Sequence, residues 1–279
     1  MTTPSDDPKA LLRVAALQLS SQEQVPENLE KVDALVAGAA RAGAELVVLP
    51  ECFAYMGPGP GSAAIAERLG DTEAPIQGAL SRIAKRERVS LVAGGFPERS
   101  SDPERPFNTS ACFGPGGELV TAYRKIHLFD VDLRTHGSLC ESRNMTPGSE
   151  VVVARLSGFG VGLSICYDVR FPELYRRLVD QGAEILTVPA AFTLYTGKEH
   201  WHVLLRARAI ESQCYVVAAA QWGKHAEGKA TFGHALVADP WGTVIAEASD
   251  QIGFAIANVE REFLREIRTR VPSLAHRRL

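Results

Sequence analysis

Two stretches of this chain carry the same order of signals, and that order restricts the possible folds more than any other feature. Residues 13–19 (Arg-Val-Ala-Ala-Leu-Gln-Leu) read as a buried strand. Pro26 opens a helical stretch with Leu29, Val32, Val36 and Ala39 on one face, and Gly43 closes it. Residues 45–49 form the next apolar strand, which runs into Glu51. Later the order recurs. Residues 160–165 read as a strand closed by Cys166, Pro172 opens a helix through about Val179, Gly182 ends it, and residues 184–188 are the following strand. Two further helices are expected over roughly 73–88 and 198–213, leading into strands at 90–93 and 215–220. Strands connected through helices form sheets that helices must cover.

Between and after these units the pattern changes to hairpins. Residues 108–113 and 119–124 flank Gly114-Pro115-Gly116-Gly117, and residues 150–154 and 160–165 flank Ser157-Gly158. Short strands are expected near 233–238, 243–247 and 252–258. So many short antiparallel strands argue against a barrel of eight βα units. The expected fold is one α/β domain, a two-sheet sandwich with helices outside. No Pro/Ser-rich linker or low-complexity run divides it. The domain is expected over 13–270, after a flexible N-terminal segment 1–12 and before a short tail 271–279.

A net charge of −3 gives no electrostatic reason to expect nucleic acid or an anionic membrane as partner. The apolar runs are too short to span a bilayer, and residues 1–9 lack the basic start and apolar core of a signal peptide. The five cysteines (Cys52, Cys112, Cys140, Cys166 and Cys214) are odd in number and widely spaced. That spacing argues against a disulfide scaffold or zinc knuckle and is consistent with a reducing cytoplasm.

Three reactive side chains sit at strand ends, each in a distinctive frame. Glu51 follows Val47-Val48-Leu49-Pro50, Lys125 lies in Tyr123-Arg124-Lys125-Ile126-His127, and Cys166 follows Leu163-Ser164-Ile165. Taken one at a time, each has an ordinary structural explanation: a solvated strand end, an exposed basic cluster, a buried thiol. Strand ends can nevertheless converge from distant parts of a chain. A thiol, a carboxylate and an ammonium in one pocket make a covalent acyl-transfer site, in which the thiolate attacks a carbonyl, the carboxylate moves the proton and the ammonium steadies the oxyanion. Cys166 also precedes a turn into a helix, a corner that presents a side chain and backbone N–H groups to a ligand. His200 and His202, two apart on a helix, point to different faces and cannot easily share an ion. No phosphate-binding glycine loop or metal motif is found.

Together the frames resemble the nitrilase superfamily of carbon–nitrogen hydrolases, and within it the Nit amidases. The resemblance runs from about Arg13 to Arg278. Besides Tyr123–Leu128, it rests on Cys166-Tyr167-Asp168-Val169-Arg170-Phe171-Pro172-Glu173-Leu174 and Asp239-Pro240-Trp241-Gly242. It implies an αββα four-layer sandwich paired into homodimers, and cleavage of non-peptide C–N bonds with no metal or organic cofactor. Glu51, Lys125 and Cys166 match the family's catalytic residues, and Glu141 matches its additional glutamate. The segment Arg206–Gln221 is most similar to the deaminated glutathione amidases. The implied substrate is therefore a small anionic amide, deaminated glutathione, cleaved to α-ketoglutarate and cysteinylglycine. The alternatives are an ω-amidase acting on α-ketoglutaramate and a catalytically silent scaffold. Tyr167, Arg170, Phe192 and Thr193 are the expected substrate contacts, with Arg170 as anchor for a carboxylate. The Lys125 cation is expected to favour the Cys166 thiolate.

Overall fold

The alternation of side chains along the first strand shows how the layers are stacked. In a computed structural model that describes residues 9–132 and 138–278, β1 (Leu11–Leu19) turns Ala15, Leu17 and Leu19 to one side and Leu12, Val14 and Ala16 to the other. Both sets are buried, as expected for a strand covered on both faces. The first set packs on α1 (Val25–Arg41) through Val32, Val36 and Ala39, and on α3 (Pro75–Glu87) through Ile76, Leu80 and Ile83. The second set belongs to a larger core shared with a second sheet and its own helices.

The first sheet runs outward from β1 through β2 (Leu46–Val48), β3 (Ser90–Glu98), β4 (Phe107–Phe113) and β5 (Leu119–Arg124). A four-residue helix, α2 (Gly61–Ala64), precedes α3. The hairpin β6 (Asp130–Asp132) and β7 (Ser138–Cys140) stands apart from both sheets. The second sheet begins with β8 (Val153–Leu156) and β9 (Phe159–Leu163) and passes through α4 (Pro172–Asp180) to β10 (Ile185–Thr187). After α5 (Leu194–Ser212) comes β11 (Tyr215–Ala218). The chain then crosses to the first sheet with β12 (Ala220–Lys224) and β13 (Ala230–Phe232), and returns to the second with β14 (Leu236–Ala238) and β15 (Val244–Glu247). It ends with β16 (Gly253–Glu260), antiparallel to β1, and α6 (Arg261–Arg270). Leu174, Tyr175 and Leu178 of α4 and Trp201, Leu205 and Ala209 of α5 cover the second sheet. The layers are helix, sheet, sheet, helix: the αββα sandwich.

Several boundaries depart from expectation. The first strand starts at Leu11, inside the segment expected to be flexible, because Leu12 is already buried in the shared core; Met1–Pro8 lie outside the described residues. Helix α5 starts at Leu194 rather than near 198, with Thr193 at its N-cap accepting the Thr196 N–H. The sequence reading passes over α6, whose mostly charged surface leaves Leu264 and Ile267 as its buried apolar side chains. The C-terminal tail is tied to the domain: Arg277 pairs with Asp180, and Gln213 donates to the Val271 carbonyl.

Candidate active site

The two sheets present their strand ends to one another, and Glu51, Lys125 and Cys166 meet there. Glu51 follows β2 and Lys125 follows β5, both in the first sheet, while Cys166 follows β9 in the second. Lys125 Nζ donates to Glu51 Oε1 at 2.9 Å and to Glu141 Oε2 at 2.8 Å. Glu51 Oε2 accepts the Ala191 N–H at 3.0 Å, and the Cys166 thiol lies beside the Glu51 carboxylate, close enough for each to shift the other's pKa. Glu141, just after β7, also accepts the Phe129 N–H at 2.7 Å. All four side chains named from the sequence thus share one network. Lys125 is 2% exposed, Glu51 4% and Cys166 8%. Cys166 has φ +48°, the left-handed region that non-glycine residues seldom enter. Its N–H is held by the Pro189 carbonyl at 2.8 Å. Such strain is commonly kept where it aims a side chain.

The charges of this network govern the thiol. Burial pushes the Glu51 carboxyl up, but the Lys125 ammonium and the hydrogen bonds from Lys125, Cys166 and Ala191 outweigh it and hold the group below its ordinary range. Burial pulls Lys125 down, and Glu141 and Glu51 together raise it well above its usual value. Lys125 favours the Cys166 thiolate, as the sequence leads one to expect, but it does not set the net direction. Burial and then the Glu51 charge push Cys166 well above an ordinary cysteine, and Lys125 offsets only part of this. Burial of the thiol is the larger cause, and the adjacent Glu51 charge adds to it. The resting site therefore holds a thiol beside a carboxylate, not a preformed thiolate.

A third carboxylate ties the frames together. Asp168, fully buried, accepts from Tyr123 Oη at 2.7 Å and from the Ile165 N–H at 2.9 Å. It also accepts from the His127 N–H at 3.1 Å, and His127 Nδ1 lies 2.7 Å away. Tyr123 and His127 flank Lys125, and Ile165 precedes Cys166, so one side chain holds the ammonium and thiol segments in register. Next to the thiol lies a small cavity lined by Phe129, Cys166, Tyr167, Arg170, Phe192 and Thr193, among others. The four residues named as substrate contacts therefore border the same space. The Arg170 guanidinium lies over the Tyr167 and Phe192 rings, 5.8 and 5.2 Å from their centroids, and donates to His200 Nδ1 at 3.3 Å. Burial lowers its pKa, and it forms no ion pair among the described residues.

A model of the carbon–nitrogen hydrolase family matches residues 13–269. The chain belongs to that family. Among carbon–nitrogen hydrolase relatives, the deaminated glutathione amidase of Synechocystis sp. is 45% identical over 266 residues, covering 94% of this chain and 97% of the relative. The human deaminated glutathione amidase is 43% identical over 273 residues, covering 95% and 82%. Among solved structures, Saccharomyces cerevisiae Nit3, a member of branch 10 of the nitrilase superfamily, superposes with a TM-score of 0.85 at 30% identity, covering 97% of both chains.

Within this carbon–nitrogen hydrolase site, sequence reasoning missed Asn108 and the glycines behind it. Asn108 Nδ2 donates to Glu51 Oε1 at 2.9 Å and to Glu141 Oε1 at 3.3 Å, so it bridges both carboxylates. The one available signal was an asparagine inside an apolar strand, where the residue is uncommon. A Cβ on Gly95 would lie 2.0 Å from Asn108 Oδ1 and 3.1 Å from Glu51 Cγ. Only glycine lets β3 pass this close to the carboxylate.

Proposed function

We propose that the chain is an amidase that hydrolyses a C–N amide bond through a Cys166 thioester, and that deaminated glutathione is its substrate. One observation carries the chemistry: a buried carboxylate that is ion-paired to an ammonium stands beside a buried thiol. Glu51 would take the thiol proton as Sγ attacks the amide carbon. Lys125 and the Tyr167 N–H would hold the oxyanion. The Tyr167 N–H lies in the first turn of a short helical segment, where no preceding turn supplies an acceptor. Glu51 would then give its proton to the departing amine, and water activated by the same carboxylate would hydrolyse the thioester. Glu141 would keep Lys125 in place. The raised thiol pKa suits this order, since the proton leaves as the C–S bond forms rather than before.

The names of the relatives and the placement of Arg170 support the substrate. A half-buried cation without an ion pair beside the nucleophile suits the carboxylate of an α-keto acid. Deaminated glutathione and α-ketoglutaramate share that acyl end and differ in the leaving group. On one preparation, kcat/KM is expected to be higher for deaminated glutathione than for α-ketoglutaramate or N-carbamoyl compounds. Arg170→Met is expected to lower kcat/KM for both keto acids by about 10- to 100-fold, the scale of a lost hydrogen bond to a charged group. A large preference for α-ketoglutaramate would make the protein an ω-amidase. Equal rates in Arg170→Met would remove Arg170 as the anchor.

The reading includes a homodimer. Ile210 on α5, Trp241 and Val271 are exposed apolar side chains around one groove, the kind of face that a second copy covers. Sedimentation is expected to give the mass of a dimer that dissociates in Trp241→Glu; a monomer at micromolar concentration would refute the pairing. The implied compartment is the reducing cytoplasm, since all five cysteines are free and Cys166 must remain a thiol to act.

A further inference from the structure

On the outer face of the second sheet, three side chains of metal-binding type converge from three elements. His202 lies on α5, His234 just ahead of β14, and Glu247 ends β15. His202 Nε2 is 2.9 Å and His234 Nδ1 2.6 Å from the same oxygen, Glu247 Oε1. One ligand atom from each residue falls within 4.8 Å of the other two. We propose that His202, His234 and Glu247 bind one divalent transition-metal ion of the Zn²⁺ type, with a remaining coordination position open to water.

The donor set fits such an ion. Two imidazoles and a carboxylate suit zinc and its neighbours, whereas calcium and magnesium favour all-oxygen sites. The spacing fits as well. Ligand atoms at about 2.0–2.2 Å around a tetrahedral ion lie roughly 3.3 Å apart. The contacts to Glu247, now 2.9 and 2.6 Å, need to widen by roughly 0.4 and 0.7 Å. The ion would replace the two hydrogen-bonding protons now between the imidazoles and the carboxylate.

The rings are also held in place for this task. Phe232 stacks on His234 with centroids 4.4 Å apart and meets His202 edge-on at 5.9 Å. The second nitrogen of His234, Nε2, lies 3.3 Å from Asp250 Oδ1. A carboxylate on the far side of a metal-binding imidazole fixes its tautomer and raises its basicity. His234 has φ +59°, and its backbone is pinned by Trp201 Nε1 donating to its carbonyl at 2.8 Å and by the Ala235 N–H donating to Gln18 at 2.9 Å. The three side chains are between a quarter and a third exposed, which leaves a path for the ion and its water. The histidines lie 45 and 13 residues before Glu247, so no short motif reveals the site. His200, two residues from His202, contacts Arg170 instead. The pair on α5 therefore faces two different sites.

The test titrates the chelator-treated full-length protein with Co²⁺ and Zn²⁺. The expected result is one equivalent of Co²⁺ with visible d–d absorption and no thiolate charge-transfer band, together with a Zn²⁺-dependent rise in Tm. His202→Gln and Glu247→Gln are each expected to weaken Zn²⁺ binding by more than about 100-fold. Asp250→Asn is expected to weaken it by about 10-fold, as for a partner that supports a ligand. His202 lies on a partly exposed helix face, so His202→Gln reads binding in a folded protein even if changes near His234 disturb the hairpin. Three results would each overturn the proposal: no binding, binding unchanged in these variants, or a thiolate band that disappears with Cys166→Ala.

Discussion

Cys166→Ala is expected to reduce amide hydrolysis to the uncatalysed level and leave the fold intact. The native protein, quenched in acid during turnover, is expected to carry the acyl group of the substrate as added mass on the peptide containing Cys166. The side chain is small and lies where the core borders a cavity. Its loss should therefore cost about 1 kcal/mol or less, a shift of about 2–4 °C in Tm for a chain of this size. Retained turnover in the alanine variant would end the thioester mechanism.

Glu51→Gln is expected to lower kcat by about 10²-fold or more, the scale of a positioned general acid–base group. Because Glu51 is held below its ordinary value of 4.5, the charged form persists into acid, and the acid limb of the kcat/KM profile should lie below that pH. The limb should vanish in the glutamine variant. Lys125→Met should cost at least as much activity, but it differs in stability. It leaves the buried Glu51 and the partly buried Glu141 facing one another without their shared cation. Breaking one partner out of a buried pair costs about 3–5 kcal/mol. Its kcat must therefore be expressed per folded molecule, and Lys125→Met combined with Glu141→Gln should recover much of the stability but not the rate. If Glu51→Gln keeps full activity and its acid limb, the carboxylate is structural.

The features legible in the sequence were those set by local pattern. A proline-led, glycine-closed helix between apolar strands appears twice, and both copies form as read, because the period and punctuation of such units are local properties. Glu51, Lys125 and Cys166 could be singled out because each closes a strand in an unusual frame. What could not be read depends on distance in space. Asn108 is only an uncommon strand residue until folding places it between two carboxylates, and Gly95 matters only because Asn108 stands behind it. The net direction of the Cys166 shift is of the same kind: the burial of the thiol and the nearness of the Glu51 charge, which outweigh Lys125, arise only once the chain is folded. Helix α6 and the hairpin of β6 and β7 were missed because their faces carry little apolar signal.

The carboxylate and ammonium sit at the end of one sheet and the thiol at the end of the other. Neither half of the chain can form the catalytic group alone, however much secondary structure it acquires. During refolding, helix and strand signals can recover while the sheets are still apart, but turnover can return only after they dock face to face. Enzymatic activity is therefore a clock for the last assembly step, and a fragment ending before Cys166 is silent, because it lacks both the thiol and three strands of the first sheet, β12, β13 and β16.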